Sequence, residues 1–182
     1  MEISSSRLAR PVVAVATTLL ALSAVAAQGG ADAAQQGAPQ YRLVAASSIK
    51  EAESSYASRV LHLVNQRRVD HGLHRVRLSG CVETIALHWA THLADRNLFE
   101  HNNLMKLVNT CEVPYASENI AQVSKGVTPR QLVSLWMHSP EHRANILSKK
   151  PSSTGIGIRW DADRSVWVAV QNFTKKPGSY QG

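Results

Sequence analysis

His138-Ser139-Pro140-Glu141-His142 matches H-x-x-E-H letter for letter. In zinc peptidases such a spacing puts two imidazoles and a general base on one face of an unbroken helix. Pro140 lies inside the motif and cannot donate a helical hydrogen bond. No Glu follows His142, and only Asp161 and Asp163, in a turn, remain to supply an acidic third ligand. Ser139-Pro140 reads instead as the N-cap and first position of a new short helix through Leu147, with His138 ending the helix before it. His142 then falls in a first helical turn, where the helix dipole disfavours a positive imidazole. A neutral ring there could bind a metal or accept a proton.

Other chemistry-bearing spacings are weaker. His88-x-x-x-His92 puts two imidazoles on one helix face, but the face also carries Thr91 and Asp95 and offers no third ligand, so surface histidines are the expectation. Ser47-x-x-Lys50 fits the S-x-x-K of β-lactamase relatives without its partner motifs. Asn172-Phe173-Thr174 is a glycosylation sequon, relevant only in a eukaryotic secretory pathway. Cys81 and Cys111 are the two cysteines. In an exported chain an isolated pair is expected to form one disulfide; a nucleophilic cysteine is the alternative, with no protease-like surroundings to favour it. No G-x-S-x-G, Walker or dinucleotide loop is present.

The elements that must position these residues follow from periodicity. A first helix is expected from Ser48, where Ser48 and Glu51 match a capping box. Tyr56, Val60, Leu63 and Val64 make its apolar face, and Gly72 ends it. Val82, Ile85, Ala86, Trp89, Ala90 and Leu93 stripe a second helix over about 82–97. A third is expected over Pro129–Met137 with Thr128 as N-cap. Then the period changes. Thr154–Trp160 and Ser165–Phe173 are rich in β-branched and aromatic residues and read as a hairpin turning at Asp161–Arg164. Ser117–Val123 is expected as a third strand. Helices first and a hairpin last point to an α+β fold.

Arg7 and Arg10, the apolar run Pro11–Ala27 and the small residues after it have the layout of a secretory signal peptide, residues 1–26, with cleavage as late as 33. The run is shorter than the ~20 residues that span a bilayer, and no later segment is apolar enough, so a secreted, extracellular protein without a transmembrane segment is expected. Residues 27–46 read as a flexible linker, 47–174 as one domain, and 175–182 as a tail. The net charge is +7, in scattered pairs such as Arg67-Arg68 and Lys149-Lys150. Without a nucleic-acid motif, that charge implies a solvated basic surface facing an anionic cell envelope, not nucleic acid.

Set beside Leu98-Phe99-Glu100-His101 and Ser117-Glu118-Asn119-Ile120, the stretch Trp136–Leu147 takes on a different meaning. With Val64-Asn65-x-x-Arg68-x-x-x-Gly72-Leu73, Gly155-Ile156-Gly157 and Val170-x-x-Phe173, the chain from about Val60 to Phe173 resembles the CAP superfamily of cysteine-rich secretory, venom-antigen and pathogenesis-related proteins, in its bacterial secreted branch. The resemblance implies a three-layer α-β-α sandwich with a small antiparallel sheet. It also implies a cleft in which His101 and His142 hold a divalent cation, zinc by donor type and weakly held. Glu118 would sit beside them as a hydrogen-bond partner or, in a hydrolase, a catalytic base. Asn119, Ser139, Arg143 and Asn145 would support the cleft, with Arg143 and Asn145 tying the helix start to the sheet. Many eukaryotic members carry a second cleft acid where Ser139 stands here, and a Gly where Ser117 stands.

Three functions follow from these features. The favoured one is a secreted binding module for a metal and a small, lipid or peptide ligand, without enzymatic activity. The alternatives are an envelope protein-interaction domain with a vestigial cleft, and a weak metal-assisted hydrolase using Glu118 as base.

Overall fold

The computed structural model describes residues 38–176, with side chains from residue 46 onward. The expected signal peptide, the linker as far as residue 37 and most of the C-terminal tail lie outside the described residues.

The apolar period at Tyr56, Val60, Leu63 and Val64 does build a helix, α1 (Ala38–Asp70). It starts ten residues ahead of Ser48, so residues 38–46, read as linker, are helical. Ser48 and Glu51 are exposed side chains within the helix, not a capping box. An S-x-x-E spacing also fits one face of a continuing helix, which is why the pattern misled. The end is as expected. Gly72 adopts φ +71°, Leu73 N–H donates to Arg68 O at 2.9 Å and Gly72 N–H to Val69 O at 2.9 Å, a left-handed cap that suits glycine.

After the two-residue strand β1 (Arg77–Leu78) come α2 (Gly80–Arg96), α3 (Leu104–Cys111) and β2 (Ala116–Ser124). Then follow α4 (Pro129–His138), α5 (Pro140–Ile146) and the hairpin β3 (Ser153–Asp161) and β4 (Val166–Thr174). Thr128 caps α4 in a full capping box with Gln131. The chain breaks between α4 and α5 at Ser139, in extended conformation, with Pro140 opening the new helix. The Ser139 side chain makes no cap hydrogen bond. Sequence reading missed α3, although Asn103 accepts from the Met105 and Lys106 N–H groups as a proper N-cap.

The sheet order is β1-β3-β4-β2, with β4 antiparallel to both β2 and β3. The small sheet is antiparallel except at its edge, where β1 pairs parallel with Ser153 and Thr154. Strand alternation then assigns the layers. On one face Ile156, Ile158, Ala169 and Phe173 meet Val60 and Val64 of α1, Trp136 of α4 and Ile146 of α5. On the other, Ile120, Val168 and Val170 meet Ala86, Ala90 and Leu93 of α2. This is a three-layer α-β-α arrangement.

The disulfide Cys81–Cys111 joins the start of α2 to the end of α3, 30 residues apart. Beneath it Val82, Leu107 and Val113 form a small satellite core. Reduction is expected to lower stability by about 3–4 kcal/mol on the chain-entropy account. Urea unfolding with and without a reducing agent measures this, and equal midpoints would refute it.

Candidate functional site

Glu118 enters the interior from β2, with its side chain 1% exposed. Its Oε1 accepts from His101 Nδ1 at 2.8 Å and from Asn102 N–H at 3.0 Å. His101 comes from the connection between α2 and α3, and its ring is 60% exposed. With Nδ1–H donated to the carboxylate, Nε2 carries the lone pair. A carboxylate behind a histidine is the arrangement that orients metal-binding imidazoles. Burial pushes the Glu118 carboxyl pKa up, against the pull of the Asn102 N–H and His101. Its other oxygen, Oε2, is buried without a partner among the described residues.

His142 is set against this pair by hydrogen bonds between α5 and β2. Asn145 Nδ2 donates to Glu118 O at 3.0 Å and to Asn119 Oδ1 at 2.9 Å. Asn119 Nδ2 in turn donates to His142 O at 3.2 Å. The His142 ring tilts against Trp136, with centroids 6.5 Å apart, and Trp136 Nε1 donates to Ile120 O. Burial, and then the nearby His101, depress the His142 pKa, while Glu141 works against them. A neutral ring is therefore favoured, by desolvation first.

The sign of the pH effect follows. With a folded pKa below the ordinary His value of about 6.5, the unfolded chain binds more protons in that window. The contribution of His142 is fully present above that value and lost as pH falls through the depressed one. Urea midpoints measured from pH 8 down to pH 5 are expected to fall less steeply in His142→Asn than in wild type. Identical slopes would contradict this placement of the ring.

The structure separates other residues that the sequence brought together. His138 ends α4, with its Nδ1 2.7 Å from Ser134 O, while Glu141 and His142 belong to α5. The H-x-x-E-H run is thus divided between two helices. Arg143, expected to tie the helix start to the sheet, is exposed and makes no side-chain hydrogen bond among the described residues; Asn119 and Asn145 make the connections. On α2, His92 stacks on Trp89 with centroids 4.7 Å apart, and His88 is exposed. Asn172 is fully buried in β4, unsuited to glycosylation of the folded chain. It lies opposite Glu118 in register, with both amide atoms unpartnered among the described residues. That neighbour, and the Asn102 N–H, went unforeseen, since register and backbone donors leave no mark in the sequence.

Among the described residues no three His, Cys, Asp or Glu are grouped to hold a metal ion. The donor set is two imidazoles, with Glu118 already engaged behind one of them. It does not fit a three-ligand catalytic zinc site. Two imidazoles are nonetheless of the donor type that zinc takes.

The profile of the cysteine-rich secretory protein family, CAP, matches residues 61–173. The chain belongs to this family. The chain is 30% identical over 136 residues to the protein YkwD of Bacillus subtilis (strain 168), a match covering 71% of this chain and 51% of YkwD. The chain thus spans about half the length of that relative. An outer surface protein of Borrelia burgdorferi superposes with a TM-score of 0.58 at 17% identity, covering 64% of this chain and 89% of that one. An extracellular SCP-domain protein of Bacillus anthracis gives 0.59 at 23% identity, covering 70% and 43%. These two likenesses establish the fold alone. No described helix of the CAP domain is long and apolar enough to cross a membrane.

Proposed function

We propose that this CAP domain is secreted and works as a binding module. His101 and His142 would hold a divalent cation loosely, zinc by donor type, and a small, lipid or peptide ligand would occupy the adjoining cleft. The observation that carries the reading is the 2.8 Å hydrogen bond between His101 Nδ1 and Glu118 Oε1. As an ionised carboxylate Glu118 takes Nδ1–H and so presents Nε2 as a ligand nitrogen, and burial lowers the pKa of the second ring, His142, which favours its neutral form. Bound zinc would supply a Lewis acid and a fixed positive charge at the cleft. The chain's own residues orient and retain it. Glu118 supports binding better than hydrolysis: its side chain is 1% exposed and one oxygen already accepts from two donors. A general base must reach the proton it removes.

Zinc titration calorimetry on the oxidised chain tests this. His101→Ala and His142→Ala are each expected to weaken binding by more than about tenfold, and Glu118→Gln by about 10–100-fold, as loss of an orienting partner does. Zinc binding unaffected by both histidine changes would overturn the assignment. No binding at all would leave an envelope-interaction domain as the working account.

A further inference from the structure

Away from the cleft, one side of β3 is open. β1 covers only Ser153 and Thr154, ending where Ser79 N–H donates to Thr154 O at 2.9 Å. Farther along, Trp160 N–H donates to Glu53 Oε1 of α1 at 2.9 Å. Thr154 and Trp160 share a parity, and the β3–β4 register runs between them without a bulge. Strand alternation therefore turns the N–H and C=O of Ile156 and Ile158 to the same open side. Among the described residues nothing pairs with them there. Both residues form the floor of a cleft of about 340 Å³ between α1 and α2. Its walls include Ala57 and Leu61 on α1 and Leu87 on α2.

The two ends of this cleft differ in charge. Glu83 marks the β1 end, since the α2 backbone at Glu83 lies against Gly155. Lys50 lines the other end, one helical turn before Glu53, whose carboxylate already faces Arg159. Neither Glu83 nor Lys50 has an ion-pair partner among the described residues. Along β3 the two levels are separated by roughly 17 Å at ~3.3 Å per residue.

Buried backbone groups are rarely left without partners. A hydrocarbon chain would fill the volume and leave the Ile156 and Ile158 amides unsatisfied. An extended peptide offers N–H and C=O at the same two-residue repeat. We propose that this cleft binds a short extended peptide of about four residues with free termini, the length being set by the ~3.3 Å rise and the separation of the charged ends. It adds to β3 in line with β1 and parallel to it, with its ammonium at Glu83 and its carboxylate at Lys50. Small apolar side chains suit the walls.

The probe is the tetrapeptide Val-Ala-Val-Ala, titrated into the 15N-labelled, oxidised full chain. The Ile156 and Ile158 amide signals are expected to shift and saturate by about 5 mM, the range of a weak peptide site. An N-acetylated, C-amidated version is expected to bind about tenfold more weakly, as loss of ~1.4 kcal/mol gives. Glu83→Gln and Lys50→Gln are each expected to weaken the free peptide severalfold while leaving the blocked one unchanged. The absence of shifts at Ile156 and Ile158 would overturn the proposal. So would blocked peptide binding as tightly as free, or decanoate moving these signals where peptide does not.

Discussion

Gly157→Val is expected to prevent this domain from folding at 37 °C. A Cβ at Gly157 would stand 2.2 Å from Ala86 O, 2.3 Å from Ala86 C and 2.5 Å from Leu87 N. These are backbone atoms of α2 and cannot swing aside as a side chain could. The helix would have to lift from β3, opening the layer in which Ala86, Ala90 and Leu93 meet Val168 and Val170. Overpacking on this scale, with loss of that layer, costs more than ~4 kcal/mol. Total stability for a domain of this kind is about 5–15 kcal/mol. Gly157→Ala is the milder variant, expected to fold with a much lower urea midpoint. Gly126→Ala is the control: nothing stands within 4 Å of its added Cβ, and its effect should stay within about 0.5 kcal/mol. If Gly157→Ala unfolds with the control, α2 does not rest on β3 as described.

The second large effect is expected at Arg68, which is 1% exposed and bonded to backbone oxygens. Its Nε donates to His74 O at 2.8 Å, and Nη1 to Ile146 O at 2.7 Å and Ser148 O at 2.9 Å. Nη2 reaches Pro151 O at 3.5 Å. One guanidinium thus fastens the segment from α5 to β3 onto α1 and the turn that follows it. Arg68→Leu leaves those carbonyls without their donor, at about 1–3 kcal/mol for each one that water cannot reach. A total loss of about 3–5 kcal/mol is expected, in the upper range for single substitutions. Arg68→Lys keeps the charge but not the planar fork, and should recover only part of it. Urea unfolding gives the magnitude. Faster amide hydrogen exchange over residues 146–151 would locate it, and unchanged exchange there would contradict the role.

The sequence carried these features unevenly. The stripe of α2, the Thr128 cap of α4, the hairpin and the Ser139-Pro140 break are local patterns, and each was readable. Family motifs placed His101, Glu118 and His142 in one cleft; the structure supplies the hydrogen bonds that join His101 to Glu118 and hold α5 on β2. The start of α1 was misread because Ser48 and Glu51 fit a cap and a helix face equally well. The α3 helix was legible in principle: Asn103 precedes Leu104, Leu107, Val108 and Cys111 at helical spacing. β1 was not, since two residues hold no period. Nor were the acceptors of Arg68, because backbone carbonyls far along the chain have no residue type to betray them.

The order of the strands has a consequence for how the chain is made. Among the described residues β4 is the last strand and the neighbour of both β2 and β3, and β2 has no other strand beside it. During synthesis β2 therefore emerges with no strand to pair against, and β3 with only the two residues of β1. Until residues 166–174 arrive, the helices can form but the middle layer cannot close. Synthesis from the N-terminal side thus leaves the sheet open until nearly all of the domain has been made, and β2, β3 and β4 then come together in one late step.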